Sequence, residues 1–179
     1  SADKLLACLA ASATPAKCAL LRVLGVVNNA AALDAVRSAL ASQESSVRDT
    51  AVRVLADWPE SPALPALLDI FRTTGDESHR FLALRGCVRL LDLGSQPIQD
   101  TVKTYGELMA RTQRTDDRKA ILSGLANVAD PAALKLVEPL LADAQVQAEA
   151  EQATLKIAAA IVKCAPAEGS ASAGAAIVA

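Results

Sequence analysis

"SSVRDTAVRVLA", residues 45–56, decides the fold, because the chain writes its second half again and again. "TAVRVLA" (50–56) is preceded by "ALLRVLG" (19–25) and followed by "LALRGCV" (82–88), "AILSGLA" (120–126) and "ATLKIAA" (153–159). Equivalent positions in the first two copies, Leu24 and Leu55, stand 31 residues apart. The later steps are 32 from Ala51 to Ala83, 38 from Ala83 to Ile121 and 33 from Leu122 to Leu155. Self-similarity at a period of roughly 20 to 50 residues is the signature of a stacked repeat array and outranks any reading of single residues.

Between the copies lie second helical segments at 29–42, 62–74, 97–113 and 131–143. In the last, Leu134, Val137, Leu140 and Leu141 follow helical spacing and place an apolar stripe on one face. Pro62, Pro97 and Pro131 open their segments, where a missing N–H costs nothing. Asp130 is positioned as an N-cap, and "GDES" and "RTDD" are turn chemistry. Each repeat is thus an antiparallel helical hairpin. Such a hairpin cannot bury its apolar face alone, so the phrase recurs because each copy fills the same slot in a stacked core. Ala51, Ala83, Ala126 and Ala158 are expected to let neighbouring hairpins approach closely. The fold class is all-α, an α–α superhelix (solenoid) of about five stacked hairpins. "ADKLLACLA" (2–10) pairs with the helix at 15–27.

Composition agrees and excludes several functions. Hydrophobic residues make up 52 % but aromatics only 2 %, so the core must be built from Ala, Leu and Val. A net charge of −2 argues against general nucleic-acid binding, which leaves a strongly basic balance. No stretch approaches the ~18 uninterrupted apolar residues of a membrane span. The chain opens on Ser1 and its one Met is Met109, so a processed or trimmed product is expected.

Catalytic and metal-binding patterns do not stand out. Cys8, Cys18, Cys87 and Cys164 lack the CxxC or Cys/His spacing of a zinc site. Cys87 and Cys164 fall inside apolar phrases, as buried thiols do. Cys8 and Cys18 sit on consecutive antiparallel helices, where a disulfide and two separate thiols both remain open. His79, the one histidine, begins a helix in a turn and reads as solvated or capping. Asp116 and Asp117 read as helix-start carboxylates. Trp58, in "ADWPES", is expected either to pack against Pro59 and Pro62 or to stand at the groove rim as an anchor, the first being favoured. No cofactor is implied, and the chain reads as a non-enzyme.

Two basic series follow the repeat. Lys17, Arg48, Arg80 and Arg118 head the second helices and are expected to form a structural ladder to neighbouring turn carboxylates and carbonyls, with Glu44 and Asp76 four residues upstream of their arginines. Arg22, Arg53, Arg85 and Lys156 come five residues further along, with Ser123 as the gap. Five helical residues turn through about 140°, so the two series occupy different faces. The second is either an ordinary solvated face or a groove for an acidic partner segment or anionic glycan.

The first helix carrying a Pro ("LKLVEPLL"), an acidic turn and then "SSVRDTAVRVLA" resemble the HEAT repeat, over about residues 15 to 163. Arg48, Arg80 and Arg118 match that family's recurring Arg, whereas Glu151 replaces it in the last copy and the third repeat is stretched. In HEAT proteins the second helices line the concave surface, which is what the resemblance implies for the Arg22 series. The run "AKCALLRVLG…VRDTAVRVLADWPES…HRFLALRGCVRLL" resembles HEAT segments of large multidomain bacterial proteins, often extracytoplasmic, beside sugar-hydrolase-like β-sandwich or cytochrome-type domains. That resemblance implies a scaffold or spacer contacting a protein partner or flanking domains, and favours the Cys8–Cys18 bridge. Residues 1–164 are then the repeat domain, and 165–179 a tail of linker composition whose Ile177 and Val178 are expected to dock on an apolar surface.

Overall fold

The computed structural model describes residues 2–164. Their regular structure is helical: α1 (Ala2–Ala11), α2 (Thr14–Val27), α3 (Ala30–Ala39), α4 (Ser45–Ala56), α5 (Leu64–Thr73), α6 (Glu77–Asp92), α7 (Ile98–Ala110), α8 (Thr115–Leu125), α9 (Pro131–Val137) and α10 (Gln147–Cys164). Consecutive helices pair through short turns into hairpins, three in a compact unit ending at Pro97 and two in a second unit from Ile98 onward. The all-α repeat class read from the sequence is the class observed. The expected tail, with Ile177 and Val178, lies outside the described residues.

Local chemistry sets the helix ends where the sequence placed them. Asp130 accepts from the Ala132 N–H at 2.7 Å, and Pro131 opens α9. Asp76 caps α6 by accepting from the His79 N–H at 2.9 Å. Asn29 caps α3 through the Ala32 N–H at 2.8 Å. The segment expected at 131–143 leaves the α conformation at Val137 and continues as a 3-10 turn over Glu138–Ala142. Pro139 supplies the reason, since its ring meets the carbonyl four residues back and it offers no N–H to the ladder.

In the first unit α2 packs on α4, and α4 on α6. The phrase positions Leu21 and Leu24 in α2, Val52 and Leu55 in α4, and Leu84 and Cys87 in α6 are all buried. Each copy fills the same slot, as repeated hairpins require. Trp58 is 2 % exposed and belongs to this core, whereas Pro59 and Pro62 are exposed. Gly86 permits a close approach: a Cβ there would lie 3.0 Å from Ala56 Cα and 2.8 Å from Leu67 Cδ1.

The second unit corrects the register of the final copy. Ile121 and Leu125 are buried in α8, and in α10 the buried positions are Ala150, Ala153 and Ile157. Burial thus pairs Ile121 with Ala153 and Leu125 with Ile157, a step of 32 rather than 33. Leu155 then falls on the outer face, which is why it is 72 % exposed. Ala158 is exposed and closes no interface, and Cys164, expected inside, is exposed at the end of α10. The bridge considered between Cys8 and Cys18 is not formed. Both are thiols, Cys8 exposed and Cys18 buried with its Sγ 3.4 Å from the Ser46 carbonyl oxygen.

Candidate functional site: a groove between α2 and α4

Arg22 on α2 and Arg53 on α4 occupy equivalent positions one repeat apart and open onto one groove of about 420 Å³. Gly25 and Val26 line it from α2, and Thr50, Val54 and Asp57 from α4 and its C-cap. Gly25 makes room, because a Cβ there would lie 2.8 Å from Val54 Cγ1. Val26 is 85 % exposed, so one wall offers bare apolar surface. Thr50 is buried, and its hydroxyl donates to the Ser46 carbonyl at 2.8 Å.

Neither arginine makes an ion pair or hydrogen bond with another described residue. Arg53 and Asp57 stand one turn apart on α4 without closing a salt bridge. The groove therefore holds two uncommitted guanidinium groups, an apolar centre and a carboxylate at its far end.

The other members of that series lie elsewhere. Arg85 is exposed on α6 and its guanidinium carbon sits 5.8 Å from the centre of the Phe81 ring, a cation–π contact. Lys156 is exposed on α10 in the second unit, one position past the corrected register. It borders a small cleft of about 50 Å³ together with Ser123 and the Lys119–Glu149 pair. Of the four residues, the structure brings Arg22 and Arg53 together.

The ladder expected of Lys17, Arg48, Arg80 and Arg118 divides into two kinds of contact. Lys17 reaches the next hairpin, with Nζ 3.7 Å from Glu44 Oε1. Arg118 Nη1 donates to Asp143 Oδ2 at 2.6 Å, again in the turn of the next hairpin. Arg48 and Arg80 instead turn back on their own hairpins, donating to the Ser42 carbonyl at 2.7 Å and the Thr74 carbonyl at 2.8 Å. The carboxylates four residues upstream are engaged otherwise: Glu44 with Lys17, and Asp76 as the α6 cap.

Further ties between repeats come from residues the sequence did not single out. Arg89 on α6 donates to the Ala56 carbonyl at 3.0 Å and to the Trp58 carbonyl, satisfying groups left open at the end of α4. Arg37 donates to the Pro62 carbonyl, and Asn28 to Glu60 Oε1 at 2.9 Å. His79, read as solvated or capping, has Nε2 2.8 Å from Asp49 Oδ1. In the second unit Lys119 Nζ lies 2.7 Å from Glu149 Oε1. The hydrogen bond from Lys119 holds the Glu149 carboxyl below its ordinary range, and the same bond raises the Lys119 amine. The backbone N–H of His79 similarly lowers Asp76.

Sequence reading found the two arginines through their spacing but missed Gly25, Val54 and Asp57. One signal was present: the first phrase ends in Gly25 where the second ends in Ala56.

Comparison with known proteins agrees with this architecture. No curated protein matches the chain. Among solved structures, the crystal structure of an engineered protein is similar at 22 % identity and a TM-score of 0.50, over 89 % of this chain and 83 % of that one. A likeness at that identity concerns the fold alone. The family model described as HEAT repeats matches residues 2–88, which hold α1 to α4, α5 and most of α6. Residues 2–88 are thus similar to the HEAT-repeat family.

Proposed function

We propose that the chain is a non-catalytic helical-repeat scaffold that mediates protein–protein contact within a larger bacterial protein, with its repeat domain at 1–164 and a linker at 165–179. The α2–α4 groove carries this reading, because it presents exposed Val26 beside two cations that no described residue engages. The polar contacts elsewhere serve structure: they end on backbone carbonyls, helix caps or ion pairs that hold helices together. A rigid stack of hairpins holding a groove open is pre-organised for a partner, which lowers the ordering cost of binding.

The test is affinity capture on the full chain, wild type against Arg22→Glu/Arg53→Glu, after circular dichroism has shown both folded. A protein held by wild type and lost by the variant is the expected result. If wild type retains no protein in low salt, the contact reading is overturned. A second reading, an anionic or carbohydrate ligand in the same groove, is favoured by the uncommitted Arg22 and Arg53 alone. Binding of a heparin oligosaccharide without any protein partner would be its signature.

A further inference from the structure

We infer that the α2–α4 groove receives an acidic, aliphatic peptide segment of a protein partner, with two of its carboxylates on Arg22 and Arg53 and a neighbouring aliphatic side chain against Val26 and Val54. This deepens the scaffold reading and rests on it.

The charge pattern selects the occupant. Arg22 and Arg53 are exposed and uncommitted, and a guanidinium fork matches a carboxylate with two parallel hydrogen bonds. Neighbouring packed helices lie about 8–10 Å apart. Alternate side chains of an extended peptide project from one face at about 6.8 Å. Two flexible arginine stems easily make up the difference, so carboxylates at alternate positions reach one arginine each.

What lies one turn further along the helices decides against a polyanion. Gly25 and Val26 follow Arg22 there, Val54 adjoins Arg53 and faces Gly25, and Asp57 closes the stretch with a negative charge. One turn along α4, about 6 Å, separates Asp57 from Arg53. A sulfated glycan or nucleic acid would bring further anions onto valines and against Asp57. Such ligands gain affinity from runs of cations, and this groove holds a net of one positive charge. A peptide can place its carboxylates on the arginines and, by turning there to follow the helices, an uncharged aliphatic side chain against the valines. At about 420 Å³ the groove sits at the small end of ligand pockets, enough for a short segment rather than a folded surface.

The experiment is fluorescence anisotropy with the full chain and a labelled synthetic peptide containing Glu-Ser-Glu-Gly-Gly-Leu, whose glycines allow the turn, flanked by Gly and Ser. Saturable binding is expected with a Kd of roughly 0.1–1 mM, the range open to two exposed ion pairs and one buried side chain. Arg22→Gln/Arg53→Gln should weaken it about tenfold, and Asp57→Asn should strengthen it about twofold by removing a like charge. Arg85→Gln should leave it unchanged, because Arg85 lies outside the groove against Phe81. Val26→Ser, at a fully solvated position, tests the apolar contact without touching charge or core and should weaken binding about threefold. Circular dichroism and melting curves establish that each variant is folded.

Three outcomes overturn the assignment: no saturable binding at millimolar peptide, binding indifferent to Arg22 and Arg53, or arginine-dependent binding of heparin in place of the peptide. These differ from failure of the scaffold reading. A protein captured equally by wild type and Arg22→Gln/Arg53→Gln preserves the scaffold and removes the groove from it. Capture of no protein at all removes both.

Discussion

His79 Nε2 lies 2.8 Å from Asp49 Oδ1, so one short hydrogen bond joins α6 to α4. The imidazole side chain is 18 % exposed and the carboxylate 52 %, so water screens one partner well. A double-mutant cycle with His79→Ala and Asp49→Ala is expected to give a coupling of about 0.5 kcal/mol in urea unfolding. A coupling indistinguishable from zero would mean that the bond contributes position and no net stability.

Gly86 and Gly25 should respond differently to an added methyl group. At Gly86 the new Cβ meets the Ala56 backbone, at 3.0 Å from Cα and 3.1 Å from the carbonyl oxygen, and backbone cannot turn aside. Gly86→Ala is expected to destabilise by about 1–3 kcal/mol, more than the ~1 kcal/mol that alanine gains in helix propensity. At Gly25 the obstacle is one methyl of half-exposed Val54, which a rotamer change moves at a cost of about 1 kcal/mol. Gly25→Ala should therefore fall within about 1 kcal/mol of wild type. Denaturant midpoints at constant m-value check both; equal losses would sink the distinction.

Arg89 is expected to matter through geometry as well as charge. Its guanidinium serves two carbonyls at once, those of Ala56 and Trp58. Arg89→Ala should cost about 1–2 kcal/mol, the worth of charge-assisted bonds to otherwise open carbonyls. Lysine offers a point charge without the fork, so Arg89→Lys should recover only part of the loss. Full recovery by lysine would show that charge alone is sufficient.

Stability should fall on both the acid and the alkaline side. Asp76 and Glu149 have carboxyls held below their ordinary values, by the His79 N–H and by Lys119 respectively. Their contribution is present above the unfolded carboxylate range and is lost as pH falls through the lowered folded values. The Lys119 amine is raised by its hydrogen bond to Glu149, so its contribution is present below the unfolded lysine value and lost as pH rises through the raised one. Melting temperature against pH should show both losses in wild type. Asp76→Asn should flatten the acid limb alone, whereas Glu149→Gln and Lys119→Met should each flatten both limbs, since each removes the other's shift.

Much of the fold was legible because helix signals are local. Asp130 before Pro131 announced a cap, and the capping bond is there at 2.7 Å. The phrase copies marked Leu21, Leu24, Val52, Leu55, Leu84 and Cys87 as equivalent, and all are buried. The last copy was misread by one residue, since matching letters favour a step of 33 between "AILSGLA" and "ATLKIAA" over one of 32. Only burial of Ala153 and Ile157 reveals the step of 32. The candidate site was half legible: spacing paired Arg22 with Arg53, while nothing local says that Asp57 closes the same groove or that Val54 faces Gly25.

The arginines that head the second helices show where legibility stops. Arg48, Arg80 and Arg118 share a position in the phrase, yet the first two bond their own turns and the third bonds Asp143 of the next hairpin. The choice depends on which acceptor the neighbouring turn brings within reach of a long, flexible side chain.

The sequence by itself determined the class, the hairpin repeat and most buried positions, because periodicity, caps and prolines act within a few residues of chain. Tertiary structure alone decided the register of α10, the exposure of Cys164 and Leu155, the partners of each arginine and the groove between α2 and α4. Those depend on contacts between residues some thirty positions apart, where an error of one residue turns a helix by about 100° and changes which side chains meet.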